Sequence, residues 1–256
     1  MNKSFWIVLA LICATYLAFW GALVVTTATF TTPLEVWKVL VSREIQYSTM
    51  LSLITCTLSA LLSVIIAVPI GYLLSRRRFP GHALVDAALD IPIVLPPMVV
   101  GICLLMFFQT KTGQCIERVL PLTYTVGGVV LAQVVIAAAF AIRTMRGVFD
   151  HLSSRPEDVA MTLGCTQWQA VWHVTLPSAR RGMFAAGSIA WARSLGEFGP
   201  ILVFAGATRM KTEVLPTSVF LAWSAGELQQ GVAVSLLMIA ISMIVLMAIR
   251  LTGERA

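Results

Sequence analysis

Two charged residues stand inside an otherwise apolar run: Arg193 and Glu197, in Trp191-Ala192-Arg193-Ser194-Leu195-Gly196-Glu197-Phe198-Gly199-Pro200. A charge within hydrocarbon costs at least about 2.5–3.5 kcal/mol, so such a residue is usually paired or lines a watery cavity. A spacing of four puts both side chains on one helix face, where they can neutralise each other or reach partner helices. Gly196, Gly199 and Pro200 would bend or break the helix beside them. Two readings stay open: a salt-bridge staple between helices, or a hinge or gate built from Arg193, Ser194, Glu197 and Gly199 beside a path across the membrane.

Other chemistries are excluded by what the chain lacks. No GxxxxGK[ST] phosphate loop occurs, so ATP is not bound by that route, and no HExxH zinc motif occurs. The three histidines, His82, His151 and His173, fall in or beside polar segments. Hydrolysis inside a membrane needs a nucleophile with a base, or paired aspartates; Glu197 is the only acid well inside a span, and it has an arginine neighbour. The chain is not expected to be an enzyme. Its five cysteines (Cys13, Cys56, Cys103, Cys115, Cys165) form no CxxC pair; they are read as small buried side chains, with no metal site and no disulfide.

Composition sets the frame for these residues. The 256 residues are 58% hydrophobic and 12% charged, with mean hydropathy +0.88; a soluble domain carries about 25% charged residues. Five charge-poor runs, roughly 5–30, 49–75, 91–110, 122–142 and 228–249, reach the about 20 residues that cross a bilayer. A sixth, 183–207, is interrupted by Arg193 and Glu197. The expected fold is all-α: a polytopic membrane protein of about six transmembrane helices, one domain over residues 1–256, with no large soluble part. The first run is too long for a cleaved signal of about 7–15 apolar residues and reads as a retained, lipid-facing span.

The net charge of +6 is not a nucleic-acid signal, because of where it lies. With the N-terminus inside, eleven of the eighteen lysines and arginines face the cytoplasm, among them Lys3, Arg76, Arg77, Arg78, Arg250 and Arg255, and six face outward. That bias follows the positive-inside rule and puts both termini in the cytoplasm.

Three stretches carry further local signals. Thr32-Pro33 and the run to Val41 predict a turn and a short amphipathic surface helix. Span two carries Ser52, Thr55, Thr57, Ser59 and Ser63, small residues that let helices approach closely. Pro92, Pro96 and Pro97 open span three and cannot form a regular helix start; either the entry is kinked or the irregular backbone lines a cavity. Gln133 in span four can bond across helices or face a path through them, and the bond across helices is the better reading. The outer segments 111–124 and 208–231 read as loops.

The longest polar island, residues 150–177, lies between spans four and five: DHLSSRPEDVAMTLGCTQWQAVWHVTLP. Ser153 or Ser154 can cap a helix whose first turn holds Pro156, Glu157 and Asp158, where the helix dipole favours acids. Gly164 suits a helix stop and Thr166 caps a second short helix, which Pro177 is expected to end. The pattern predicts a helix-turn-helix.

This island resembles the cytoplasmic coupling loop of ABC-importer permeases, the binding-protein-dependent transport inner-membrane components. Their pattern is Glu-Ala-Ala, three residues, Gly, nine residues, Ile-x-Leu-Pro. Here Asp158-Val159-Ala160, Gly164 and Val174-Thr175-Leu176-Pro177 keep the spacing. Asp replaces Glu, and Val stands for the first Ala and for Ile. The strings Pro92-x-x-Leu95-Pro96-Pro97 and Ala192-Arg193-Ser194-Leu195-Gly196-Glu197-Phe198-Gly199 look like the molybdate, tungstate and sulfate permeases of that family.

The resemblance implies a membrane-embedded transport subunit carrying an oxyanion, molybdate or tungstate, with sulfate or thiosulfate as the alternative cargo. It implies no cofactor on this chain; ATP and magnesium would sit on a separate ATPase, two copies of which dock on Glu157, Asp158, Ala160, Gly164 and Pro177. A homodimer in the inner membrane would receive cargo from an extracytoplasmic binding protein. Pro96, Pro97, Arg193, Ser194, Glu197 and Gly199 would border the path or its gate. A rival from another class is an ATPase-independent secondary transporter or channel; it explains the oily spans and Arg193–Glu197, but not the double-capped hairpin.

Overall fold

The computed structural model describes residues 3–253, of which Lys3, Arg250, Thr252 and Gly253 are described by backbone alone. The placement of Arg255 and of the side chains of Lys3 and Arg250 therefore lies outside the described residues. The helices are α1 (Lys3–Thr29), α2 (Pro33–Val41), α3 (Arg43–Arg76), α4 (His82–Val94), α5 (Pro97–Gln109), α6 (Lys111–Val119), α7 (Val126–His151), α8 (Arg155–Thr162), α9 (Gln167–Ala170), α10 (Leu176–Leu195), α11 (Leu215–Ser224) and α12 (Leu228–Gly253). Two π-helical turns, Val171–Thr175 and Ile201–Ala205, flank α10, and no strand occurs among the described residues.

The architecture is all-α and polytopic, but its spans are less regular than the hydropathy runs. Among the described residues, four single helices are long and apolar enough to cross a membrane: α1, α3, α7 and α12. The 91–110 run is not one helix. It is the pair α4 and α5, bent by 110° at Leu95-Pro96. Nor does that segment begin near Asp90; α4 starts at His82 and carries Pro92 in its last turns, where it removes one backbone hydrogen bond. The 183–207 run is likewise broken, by Gly196 to Pro200, into α10 and the second π-turn.

α3, α7 and α10 form the central core. Their contact is made largely of small residues, including Ala60, Ala67, Ala137, Ala141, Ala186 and Ala190, sealed by Met145, Phe149 and Trp191. Without a hydrophobic drive between helices in lipid, such close approach is what gains van der Waals energy. Ser52, Thr55, Ser59 and Ser63 are buried there as expected, whereas Thr57 lies at the surface and accepts from Trp191 Nε1 at 3.3 Å. A second core joins Leu51, Phe108, Val129 and Phe204, and a third gathers Val39, Ile45, Leu215 and Val234. α1 meets the bundle at α12, yet its apolar residues stay exposed along most of its length, as those of an anchor in lipid would.

Both segments read as outer loops are more ordered than their composition foretells. Residues 111–119 form α6, capped by Thr110, and 215–224 form α11. The α11 approach is strapped to α3: Leu215 N donates to Ser52 Oγ at 2.9 Å, Tyr47 Oη donates to the Lys211 carbonyl at 3.3 Å, and Arg209 meets Glu44 at 3.1 Å. α2 forms as expected with Thr32 as its cap, but it is not a free surface helix, since Val39 packs into the third core. The cysteines also depart from expectation. Only Cys56 is buried; Cys13, Cys103 and Cys115 are exposed on α1, α5 and α6, and Cys165 is exposed in the turn between α8 and α9.

Candidate functional site

Two places hold the residues singled out by chemistry, and they lie on connected elements. The first is the hairpin. Thr166 accepts from Gln169 N at 3.3 Å and Gln169 Oε1 accepts from Thr166 N at 2.8 Å, a reciprocal capping box. Gly164 sits at φ +96°, the left-handed turn that stops α8, with its N–H on the Met161 carbonyl at 3.0 Å. Ser154 occupies the cap position without a side-chain bond; Ser153 Oγ instead accepts from Arg155 N at 3.3 Å.

Pro177 does not end the second helix. α9 runs through the π-turn into α10 with helical backbone at Ala170, Val171, Thr175 and Leu176. Pro177 falls in the first turn of α10, where a missing N–H costs little, and the wider π register absorbs its ring. The hairpin's second arm and α10 are thus one continuous rod.

The sides of the hairpin differ. Glu157 is buried, accepts from Thr175 Oγ, and faces Arg76 Nε at 3.7 Å. The same guanidinium donates to the carbonyls of Phe149 at 3.1 Å and Leu152 at 3.0 Å, closing the end of α7. Glu157 therefore staples the hairpin to α3 and is turned away from any docking partner. Asp158, Gly164 and Pro177 are exposed and Ala160 is half-buried. Val159, Leu163, Trp168 and Trp172 are large apolar side chains left exposed on the hairpin, the two tryptophans stacked at 6.2 Å. Sequence reasoning missed both Arg76, indistinguishable from Arg77 and Arg78 in a basic run, and the tryptophans, whose i, i+4 spacing within a polar island was a readable signal.

The second place is the break after α10. Arg193 Nη1 lies 2.7 Å from Glu197 Oε1, and its guanidinium sits over the Phe140 ring at 5.5 Å. Glu197 is 1% exposed while the Arg193 side chain is 30% exposed, and Glu197 Oε2 has no hydrogen-bond donor among the described residues. The pair is thus formed across the end of α10 by residues four apart in sequence, not between helices. Ser194 is buried: its carbonyl accepts from Gln133 Nε2 at 3.2 Å, and Gln133 Oε1 accepts from Ser59 Oγ at 2.9 Å. Gln133 does bridge helices, tying α3, α7 and α10 together.

The two proline–glycine strings meet. A Cβ on Gly199 would lie 2.9 Å from Met98 N, next to Pro97, and a Cβ on Gly101 would lie 2.8 Å from Pro200 Cα. The start of α5, behind Pro96 and Pro97, is therefore seated on the Gly199-Pro200 break. Gly101→Ala should cost about 1–3 kcal/mol, because backbone on the far side cannot yield as a side chain would. It should show as a lower melting temperature in detergent. Gly21→Ala, with nothing within 4 Å, should show no loss.

In the approach to α11 Glu213 is buried beside Arg209 and Ser218. Burial pushes its carboxyl above the usual range, against the smaller opposing pulls of the Ser218 hydroxyl and Arg209. No cluster of His, Cys, Asp and Glu suited to a metal occurs among the described residues.

Comparison with known proteins places this geometry. The family model "Binding-protein-dependent transport system inner membrane component" matches residues 67–252. The sulfate transport system permease protein CysT of Escherichia coli (strain K12) is 28% identical over 86% of this chain and 81% of its own. The molybdate/tungstate transport system permease protein WtpB of Thermococcus kodakarensis is 36% identical over 60% of this chain and 58% of its own. In fold, the chain superimposes on a bacterial alginate ABC transporter solved with an alginate-pentasaccharide-bound periplasmic protein. The TM-score there is 0.76, at 13% identity over 99% of this chain and 96% of that one.

Proposed function

Because the chain belongs to the family of binding-protein-dependent transport inner membrane components and is a permease subunit of an ABC importer, we propose that it carries molybdate or tungstate as one half of a homodimeric pore. Two ATPase subunits dock on the hairpin from the cytoplasmic side, and an extracytoplasmic binding protein delivers the anion. The observation that carries the reading is the hairpin itself. It leaves Val159, Leu163, Trp168 and Trp172 exposed, it is stapled by Glu157 to Arg76, and its second arm is continuous with α10. Apolar surface rimmed by polar residues fits a protein partner, and a rigid arm fits transmission of that partner's movement.

ATP and magnesium belong to the partner chain. On this chain Asp158, Ala160 and Gly164 lie at the docking face and Pro177 at the root of its second arm, while Glu157 positions the hairpin. Arg193 borders the path, with Gly199 and Pro97 forming the joint beside it. Its charge is already balanced by Glu197, so it offers a passing dianion brief attraction and not a tight site, as release to the cytoplasm requires.

Uptake by proteoliposomes tests this. Labelled molybdate should enter only with the ATPase, ATP and the binding protein present, and excess tungstate should suppress it while sulfate does not. Uptake by this chain alone would reverse the assignment to an ATP-driven importer in favour of a secondary transporter or channel. Sulfate is the second reading, favoured by the similarity to a sulfate permease over most of the chain; stronger competition by sulfate would establish it.

A further inference from the structure

Helix α4 is held to the bundle by an ion-pair ladder that the transport reading does not use. Asp86 and Asp90, one turn apart on α4, pair with Arg146 and Arg143 on α7. Arg146 also reaches Asp150 in the last turn of α7, with Nε 3.7 Å from Oδ2. These five side chains line a cleft of about 380 Å³ with Leu74 and Leu89. Three carboxylates face two guanidiniums there, so the cleft is not an anion site.

The remaining contacts of α4 are few. His82 Nε2 bonds the Leu74 carbonyl at 2.9 Å and Leu89 touches the central core, while Leu84, Ile91 and Val94 are exposed. Arg143, Asp86 and Asp90 keep part of their surface in solvent, and such pairs are weak and readily exchanged. That suits a contact that must break and re-form.

Resting on the reading above, we propose that Arg146 is a junction, parallel to the continuous α10 rod, through which movement of the docked hairpin also reaches the intramembrane break from its α5 side. One arm of the route is α7, whose end at Asp150 adjoins the hairpin and is closed by Arg76. From Arg146 the route crosses to Asp86 and runs along α4. It turns through the 110° bend at Leu95-Pro96 into α5, whose start is seated on Gly199-Pro200, two residues past Glu197. Tilting α7 against α4 exchanges rungs of the ladder, and the bend converts that sliding into a shift of α5 across the break. Arg146 is thus a positioning residue, acting through α4 with no contact to cargo.

The test uses the complete reconstituted complex and reads ATP hydrolysed per anion imported. Arg146→Gln should raise that ratio at least about five-fold, the lower end of ordinary coupling energies, with ATPase co-purification and melting temperature unchanged. Asp86→Asn, a milder change on the partner helix, should raise it in the same direction, and the double variant should be no worse than Arg146→Gln alone. An unchanged ratio, simple additivity of the two effects, or loss of ATPase binding would each overturn the proposal. Failure of the transport reading is separate, since it would show in the unaltered complex as uptake that needs no ATP.

Discussion

Gly164→Pro is expected to abolish recovery of the ATPase with this chain, by about ten-fold or more, while the chain still inserts in the membrane at its usual level. At φ +96° the position is left-handed, a region that costs an ordinary L-residue about 1–2 kcal/mol. Proline, fixed near φ −65°, cannot enter it at all. The substitution also removes the N–H that closes α8 on the Met161 carbonyl, and it disturbs the adjoining bond from Cys165 N to the Ala160 carbonyl at 3.1 Å. The turn must then open. Val159 and Leu163, before the turn, would then change position relative to Trp168 and Trp172, after it. The anchoring contacts lie elsewhere, at Glu157, Arg76 and Thr175, so the damage is confined to the outward surface. Gly164→Asn is the matched control: asparagine tolerates the left-handed region and should keep most of the binding. Affinity capture on the tagged chain, normalised to its membrane level, gives the result. Wild-type recovery of the ATPase with the proline variant would mean that the hairpin face is not where the partner sits.

That hairpin was legible in the sequence because its signals are local. Thr166 and Gly164 each act within one helical turn, and the structure places them as their chemistry requires; Gln169, which completes the capping box, carried the same kind of local signal and was not read. Pro177 misled for a related reason. A proline after a short amphipathic stretch reads as a stop, and nothing within a few residues announces that a π-turn will widen the register and carry the helix on. The break at Arg193 to Pro200 was legible from its glycines and proline. What it touches was not. Met98 against Gly199 and Gly101 against Pro200 join segments about a hundred residues apart, and a glycine needed for close approach looks the same in sequence as one needed for flexibility. The same limit hid Arg76, whose distinction from Arg77 lies only in the carbonyls and carboxylate it meets. The helices α6 and α11 were read as loops because short capped helices carry no long hydropathy signal.

The pair at the break is where substitution should cost most. Arg193→Ala leaves Glu197, 1% exposed, with no cation at its 2.7 Å contact and no other donor to its second oxygen. Breaking a buried pair from one side typically costs about 3–5 kcal/mol, because the abandoned charge stays desolvated. Glu197→Gln should cost much less. Arg193 is 30% exposed and lies over Phe140, so it keeps both solvent and the ring's attraction, the latter about 0.5–2 kcal/mol. The order of the two melting temperatures in detergent, alanine at 193 well below glutamine at 197, checks the asymmetry; the reverse order would mean that the arginine and not the carboxylate is the residue stranded by its environment. The double variant Arg193→Ala with Glu197→Ala then separates the two roles open to the pair. Removing both charges should recover much of the lost stability, since no ion remains unpaired. If import recovers with it, the pair is only a clasp on the end of α10. The expected result is recovery of stability without import, because a partly exposed guanidinium next to the joint of α5 and Gly199 is placed to attract a dianion, and an alanine there offers nothing in its place.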